Sequence, residues 1–330
     1  MGRLMDWNDI VKQNAGSVPH FGEPREQYAA ARSNSIVTPL RQFELLRFHG
    51  SDAKAFLQGQ LTIDLDEVTS EQAQFGGYCN PKGRLIANFL LFVASSGYLM
   101  QVPREVAGDL ATRLRKYVLR SQVSIEHERG QELLGLAGPQ AVALLEEKQS
   151  APPSRRMAVG IRAHRSVIRL PGNQFVVVVA SGDISALWDQ LAERAVPAGE
   201  QCWAWLQIEA GIPWITQATQ EQFLPQMVRL DEIGGVSFDK GCFPGQEIVA
   251  RTRYLGDVKR KLKLGHTRGE VQSGDALFSA DQQTGTVLNA APVPDAGCAL
   301  LAVVSAQPDT GQTRTADGES IVWSEAFQRD

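Results

Sequence analysis

Cysteine is scarce in this sequence: Cys79, Cys202, Cys242 and Cys298 are the only four in 330 residues. That is too few for a disulfide scaffold in a chain of this length, and none stand at C-x-x-C spacing, which argues against a zinc ribbon or finger. The five histidines, His20, His49, His127, His164 and His266, show no H-x-x-x-H spacing either, so a stable metal cluster of the chain's own is not expected. There is no G-x-x-x-x-G-K-[ST] and no G-x-G-x-x-G, which leaves nucleotide binding without support. No run reaches the roughly 18 apolar residues of a membrane span, and FVVVVA at 175–180 has the length of a buried strand instead. The start, MGRLMDWNDIVKQNAGS, lacks a basic segment followed by an apolar one, so no secretory signal is expected. A reducing cytoplasm is the expected compartment.

The net charge of −4 gives the whole molecule no attraction for nucleic acid or an anionic membrane. What is present is an ordinary globular balance, 43% hydrophobic and 21% charged residues, in a chain long enough for at least two cores.

Residues 1–37 are polar with scattered Gly, Pro and Ala, and read as an irregular lead-in. FELLRF then predicts a strand, and Gly50-Ser51-Asp52 offers caps for a short helix over 54–58. FGGYC and RLIANFLLFVA form a strand pair around the turn Asn80-Pro81-Lys82-Gly83, where Pro fixes one backbone angle and Gly tolerates a positive one. Val106, Leu110, Leu114 and Tyr117/Val118 recur at helical spacing after Pro103. SQVSIE returns to strand, and QSAPPSRR at 149–156 reads as a linker. VIRL, FVVVVA and the helical DISALWDQLAERA repeat the strand–helix texture. The pattern predicts an α+β protein: a first α/β lobe over 38–148 and a second over 149–257. From 258 to 330 short apolar runs (LKLG, ALFS, GTVLNA, CALLAVVS, SIVW) alternate with Gly- and Asp-rich turns, the texture of a small β-barrel.

The densest unusual segment is Lys240-Gly241-Cys242-Phe243-Pro244-Gly245-Gln246-Glu247. Cys242 there is either a turn cysteine acting as a small apolar residue or a functional thiol, its thiolate favoured by Lys240, Arg251 and Arg253. The stretch from Arg251 to Arg268 also holds Lys259, Arg260, Lys261 and Lys263 against one Asp257. It is either a solvated face of the first barrel strands or a patch for an anionic ligand.

KGCFPGQEIVARTRYLG resembles the K-G-C-[YF]-x-G-Q-E signature of the YgfZ family, bacterial folate-binding proteins linked to tRNA modification and iron–sulfur enzymes. FLQGQLTIDL, YCNPKGRLIANFLLF, IEAGIPWI and EQFLPQMVRLDEIGGVSFDKGC extend the resemblance over about 38–265. It implies the fold of the glycine-cleavage T-protein: two interlocked α/β regions around a central folate channel, plus a C-terminal β-barrel. It implies tetrahydrofolate or a derivative as ligand and Cys242 as the thiol on which activity depends. Glu209 matches the glutamate that contacts the pterin; one carboxylate can accept two parallel N–H bonds from such a ring. Trp203 matches a folate tryptophan able to stack on a flat ring. The family's second folate tryptophan falls on Phe43, which keeps an aromatic face but loses an N–H donor. Gln246, Glu247 and Arg251 belong to the same candidate binding set, Arg251 for the carboxylates of a folate tail.

The resemblance also carries a departure from the T-protein, whose paired aspartates are replaced here by Ala87-Asn88. An amide cannot act as a carboxylate base or stabilise developing positive charge, so simple aminomethyl transfer is not expected. The implied role is that of an accessory protein for iron–sulfur cluster synthesis or repair. Its implied partners are client enzymes, including radical enzymes that thiomethylate tRNA. Direct tRNA binding is not expected, since no RNA-binding motif and little aromatic interleaving accompany the basic stretch. The alternatives are a folate-dependent one-carbon transferase using another base, and a non-catalytic scaffold with a vestigial folate site.

Overall fold

The computed structural model describes residues 7–12, 17–95, 97–148, 152–162, 164–255, 258–306, 312–325 and 327. Residues 149–151 of the expected linker, and Asp257 of the basic stretch, lie outside the described residues.

The lead-in is not irregular. It contains α1 (Trp7–Lys12), α2 (Pro24–Ser33) and the strand β1 (Ile36–Pro39). Helix α2 has Pro24 in its first turn with Glu26 at the positive end and Arg32 at the negative end, all favourable placements. It buries Gln27, Tyr28, Ala30 and Ala31. What covers this face is far along the chain: Gln27 Oε1 accepts from Gly199 N at 2.9 Å. Local composition could not reveal a partner 172 residues away.

The chain next builds β2 (Phe43–His49), α3 (Ala53–Gln60), β3 (Gln74–Cys79), β4 (Leu85–Ala94), β5 (Gly97–Pro103), α4 (Arg104–Arg115) and β6 (Ser124–His127). The five strands form one antiparallel sheet in the order β3-β4-β5-β2-β6. Asp52 precedes α3 without capping it; its Oδ2 accepts from Gln122 N at 2.7 Å and ties the helix entry to the loop before β6. Helix α4 buries Val106, Leu110 and Leu114 as their spacing requires, but ends at Arg115 and leaves Tyr117 exposed.

The second region comprises β7 (Gln131–Ala137), α5 (Ala141–Glu147), β8 (Val159–Arg162), β9 (Arg165–Leu170), β10 (Gln174–Ala180), α6 (Ile184–Ala192) and β11 (Val196–Pro197). Its six-stranded sheet runs β11-β1-β7-β10-β9-β8. Strand β1 therefore belongs here, between β11 and β7, although the whole first sheet follows it in sequence. The chain starts in the second sheet, leaves to build the first, and returns through β7. This interlocks the two α/β regions and crosses the linear boundary read at 148/149.

Helix α7 (Glu200–Glu209) and, after a long segment of turns, α8 (Gln246–Leu255) lead into the last unit. That unit is β12 (Arg260–Thr267), β13 (Ala276–Ser279), β14 (Gln282–Val293), β15 (Gly297–Ser305) and β16 (Ile321–Trp323). They form a curled antiparallel half-barrel in the order β13-β14-β15-β12-β16.

Alternation along single strands feeds two cores at once. In β4, Leu85, Leu90 and Phe92 face a central core, while Ile86, Phe89 and Leu91 face the core under α3 and α4. In β10, Val176 and Val178 face the central core, while Phe175, Val177 and Val179 pack beneath α6. The central core also takes Trp203 and Ile208 from α7 and Leu262, Leu264, Leu288 and Leu301 from the half-barrel. The three units thus share one apolar interior. Each such side chain contributes about 1.5–3 kcal/mol by leaving water.

Candidate functional site

The Glu209-Ala210-Gly211 run is a helix end. Gly211 has φ of +68°, donates its N–H to Ile208 O at 2.9 Å, and is followed by Ile212 N donating to Gln207 O at 2.9 Å. This is a Schellman stop, which only a residue tolerant of positive φ can make. A Cβ at position 211 would also lie 2.5 Å from the Phe327 ring. Glu209 is therefore fixed as the last residue of α7.

Its carboxylate is 12% exposed. Oε1 accepts from Trp205 Nε1 at 3.1 Å, one turn earlier on α7, and from His266 Nε2 at 3.0 Å on β12. A carboxylate has no proton to give, so Nε2 of His266 carries the hydrogen. The hydrogen bond to Glu209 raises the His266 pKa above its ordinary value, burial opposing it less strongly. No partner for Oε2 exists among the described residues. Glu209 lines a cleft of about 580 Å³ with Arg32 of α2, the Gly172-Asn173 turn, Trp205 and His266. Trp205 is wedged between Tyr28, with ring centroids 5.1 Å apart, and Arg32, whose guanidinium carbon lies 4.8 Å from the indole centroid.

Trp203 lies on the other side of α7. It is 1% exposed, and a Cβ on Gly135 of β7 would fall 2.5 Å from its ring, so the indole is packed against the second sheet. Its Nε1 is buried with no hydrogen-bond partner. Phe43 is buried too, 4.7 Å from the Trp214 ring centroid. Neither aromatic lines the Glu209 cleft.

Asn88, in the middle of β4, is fully buried and spent on backbone. Nδ2 donates to Pro213 O and Oδ1 accepts from Ile215 N, both at 2.7 Å. Between them, Trp214 N donates to Asn289 Oδ1 at 2.9 Å and Trp214 O accepts from Asn289 Nδ2 at 2.8 Å. The β14 register slips between Val287 and Asn289, a bulge of the kind that re-aims a side chain.

The Cys242 loop sits elsewhere, on the first region. Lys240 is buried, and its Nζ donates to Gln58 O at 2.5 Å, Leu61 O at 2.7 Å and Ile63 O at 2.8 Å. All three ammonium hydrogens are used on carbonyls at the end of α3, and burial pulls the Lys240 pKa down to about 8. The cation expected to favour a thiolate at Cys242 is thus committed to anchoring the loop, and Arg253 stacks 4.0 Å over Phe238. Gly245 has φ of +79°, and a Cβ there would lie 2.5 Å from both Asn80 O and Gly83 Cα. The Asn80–Gly83 turn and the cysteine loop are therefore in backbone contact, which requires glycine on both sides.

Cys242 itself is exposed, whereas Cys79, Cys202 and Cys298 are buried. Gln246 opens α8 and reaches back to Lys240 O at 3.5 Å; Glu247 and Arg251 are exposed on the same helix. Gln246, Glu247 and Arg251 do not line the Glu209 cleft. Of the basic stretch, Lys261 and Lys263 join Arg229, Trp323 and Phe327 around a separate cleft of about 670 Å³. Among the described residues, no three His, Cys, Asp or Glu side chains converge on a metal position.

A profile of the GCVT N-terminal domain matches residues 19–240. The tRNA-modifying protein YgfZ of Escherichia coli is 33% identical over 297 residues, spanning 87% of this chain and 91% of the relative. The chain belongs to the YgfZ family. The protein of the same description from Escherichia fergusonii is 34% identical over 298 residues, again across 87% of this chain and 91% of the relative. Glycine cleavage system aminomethyltransferase T from Bartonella henselae has a TM-score of 0.77 over 92% of this chain and 88% of that one, at 17% identity. The chain thus has the T-protein fold, as the motif resemblance implied. No helix among the described residues is long and apolar enough to cross a membrane.

His266, Trp205, Arg32 and Asn289 were not among the residues the sequence marked as functional. Nothing local signals a pairing such as Glu209 with His266, 57 residues apart on different units.

Proposed function

We propose that this protein binds tetrahydrofolate or a derivative through Glu209 and acts as an accessory factor for iron–sulfur cluster synthesis or repair. Its clients would include enzymes that modify tRNA, in keeping with the description its relatives carry. The observation that carries the folate part is the Glu209 carboxylate, held by two donors on Oε1 with Oε2 left for a ligand, in a cleft of about 580 Å³. A carboxylate oxygen left free to accept suits a pterin, whose ring edge offers N–H groups, and the volume lies within the range of about 300–1,000 Å³ usual for small-molecule sites. Arg32 on the cleft wall would meet anionic parts of the ligand. Bound folate supplies a reduced carrier of one-carbon units. Cys242, exposed on an anchored loop, is the thiol available to a client.

Aminomethyl transfer is disfavoured because Asn88 is an amide with donor and acceptor both committed to the 213–215 backbone. A scaffold with a vestigial folate site is the second reading, and the burial of Trp203 and Phe43 favours it.

Calorimetric titration with tetrahydrofolate and 5-formyltetrahydrofolate tests the folate part. Micromolar one-to-one binding, weakened about tenfold or more in Glu209→Ala, is expected; a charge-assisted hydrogen bond is worth about 1.5–3 kcal/mol. No heat at millimolar ligand would leave the scaffold reading in front. For the client role, Cys242→Ala should bind folate like the wild type yet fail to restore client activity in a null strain. Full rescue by that variant would remove Cys242 from the mechanism.

A further inference from the structure

The Glu209 carboxylate is offered to the cleft in an uneven state. Both lone pairs of Oε1 are in use, one by Trp205 Nε1 and one by His266 Nε2, while Oε2 has no partner among the described residues. A ligand edge with two parallel N–H donors, such as a 2-amino-4-oxopyrimidine ring, binds best when each carboxylate oxygen takes one of them. Here the second donor finds Oε1 already full. One of its two donors must give way. Trp205 Nε1 belongs to an indole fixed between Tyr28 and Arg32 and lies on the same helix as Glu209. His266 comes from β12, its side chain is 40% exposed, and water is at hand to satisfy Nε2 once it leaves.

From this geometry we infer that His266 is a positioning residue for Glu209 and is displaced from Oε1 when a two-donor ligand binds. The inference rests on the folate reading and adds to it a link between ligand binding and the contact that ties α7 to the half-barrel.

The consequence is a proton. In the free protein, the bond to Glu209 favours imidazolium at His266. Once the ligand holds Oε1 that support is gone, and His266 gives its proton to solvent. Ligand and proton therefore oppose each other, and by linkage affinity rises with pH through the window where His266 titrates. The cleft offers few other sources for such a slope. Its charged or titratable lining groups are Arg32 on α2, Glu209 on α7 and His266 on β12. The strands flanking β12 set Ala299 and Val322 opposite His266, neither of which titrates.

The test is calorimetric titration of wild type and His266→Gln with 5-formyltetrahydrofolate at about pH 6 and about pH 8, in two buffers of different ionisation enthalpy. His266→Gln keeps an N–H donor but cannot titrate. The wild type should release a proton on binding and bind about three- to tenfold more tightly at the higher pH, and His266→Gln should do neither. Binding without proton release, or an equal pH slope in His266→Gln, would overturn the inference and leave folate binding standing. Absence of heat in both proteins at both pH values would bring down the folate reading, and this inference with it.

Discussion

Asn88 and Asn289 hold opposite edges of one backbone segment. Asn88 takes Pro213 O and Ile215 N; Asn289 takes both the N–H and the C=O of Trp214 between them. In an extended chain these groups alternate in direction, so each amide acts as a one-residue strand neighbour. One amide comes from the first sheet and the other from the half-barrel, and the segment they hold follows directly from the Glu209 helix end. Position 88 is thus a joint between units.

Asn88→Asp should therefore weaken the fold without creating a transferase. The carboxylate keeps the bond from Ile215 N but has nothing to give Pro213 O, and a fully buried site sets two acceptors facing each other. A loss of about 1–3 kcal/mol or more is expected, measured by urea denaturation. Wild-type stability with measurable aminomethyl transfer would contradict the joint.

The Glu209–His266 pair predicts a pH effect on stability. The folded His266 pKa is raised above its ordinary value of 6.5. Its contribution is then fully present below that value and is lost as pH rises through the raised one. Wild type should lose stability relative to Glu209→Gln between about pH 6 and about pH 8, and denaturation of both proteins across that range reads it. Parallel curves would show that the pair contributes nothing in solution.

Lys240→Met would strand three carbonyls, Gln58 O, Leu61 O and Ile63 O, in a buried site. A loss on the order of 1–3 kcal/mol is expected. The sign with pH follows from the lowered value. Between about 8 and the ordinary 10.5, the unfolded lysine holds its proton and the folded one sheds it. Stability of the wild type should therefore rise relative to Lys240→Met across that window, as paired denaturation curves would register.

Thiol labelling separates the four cysteines. Cys242 is exposed; Cys79 and Cys202 are buried, and burial pushes Cys202 up to about 12. Iodoacetamide should modify one thiol in the native protein and all four after denaturation. Gly245→Ala puts a methyl group 2.5 Å from Asn80 O at a positive φ, so it should release the loop and change the Cys242 labelling rate. An unchanged rate would mean that the contact does not hold the loop.

Much of the fold was legible because its signals are local. Val106, Leu110 and Leu114 repeat at helical spacing and are buried on one face of α4. Strands β3 and β4 flank the Asn80–Gly83 turn as their residues require. The half-barrel strands fall on the short apolar runs after 258. Helix α2 was missed because Ala-rich, polar sequence becomes amphipathic only against a partner from another part of the chain. The Glu-Ala-Gly and Lys-Gly-Cys motifs could be found in the sequence, but their geometry could not be.

The sequence by itself determined the periodicities, the turns that need glycine or proline, and the family motif, since each depends on neighbours within a few residues. The tertiary structure alone decided that β1 joins the second sheet, that Trp203 packs inward while Trp205 faces the cleft, that Lys240 is spent on carbonyls, and that His266 meets Glu209. Each of these is set by contacts between groups distant in the chain, whose burial and hydrogen bonding exist only once the units close on their shared core.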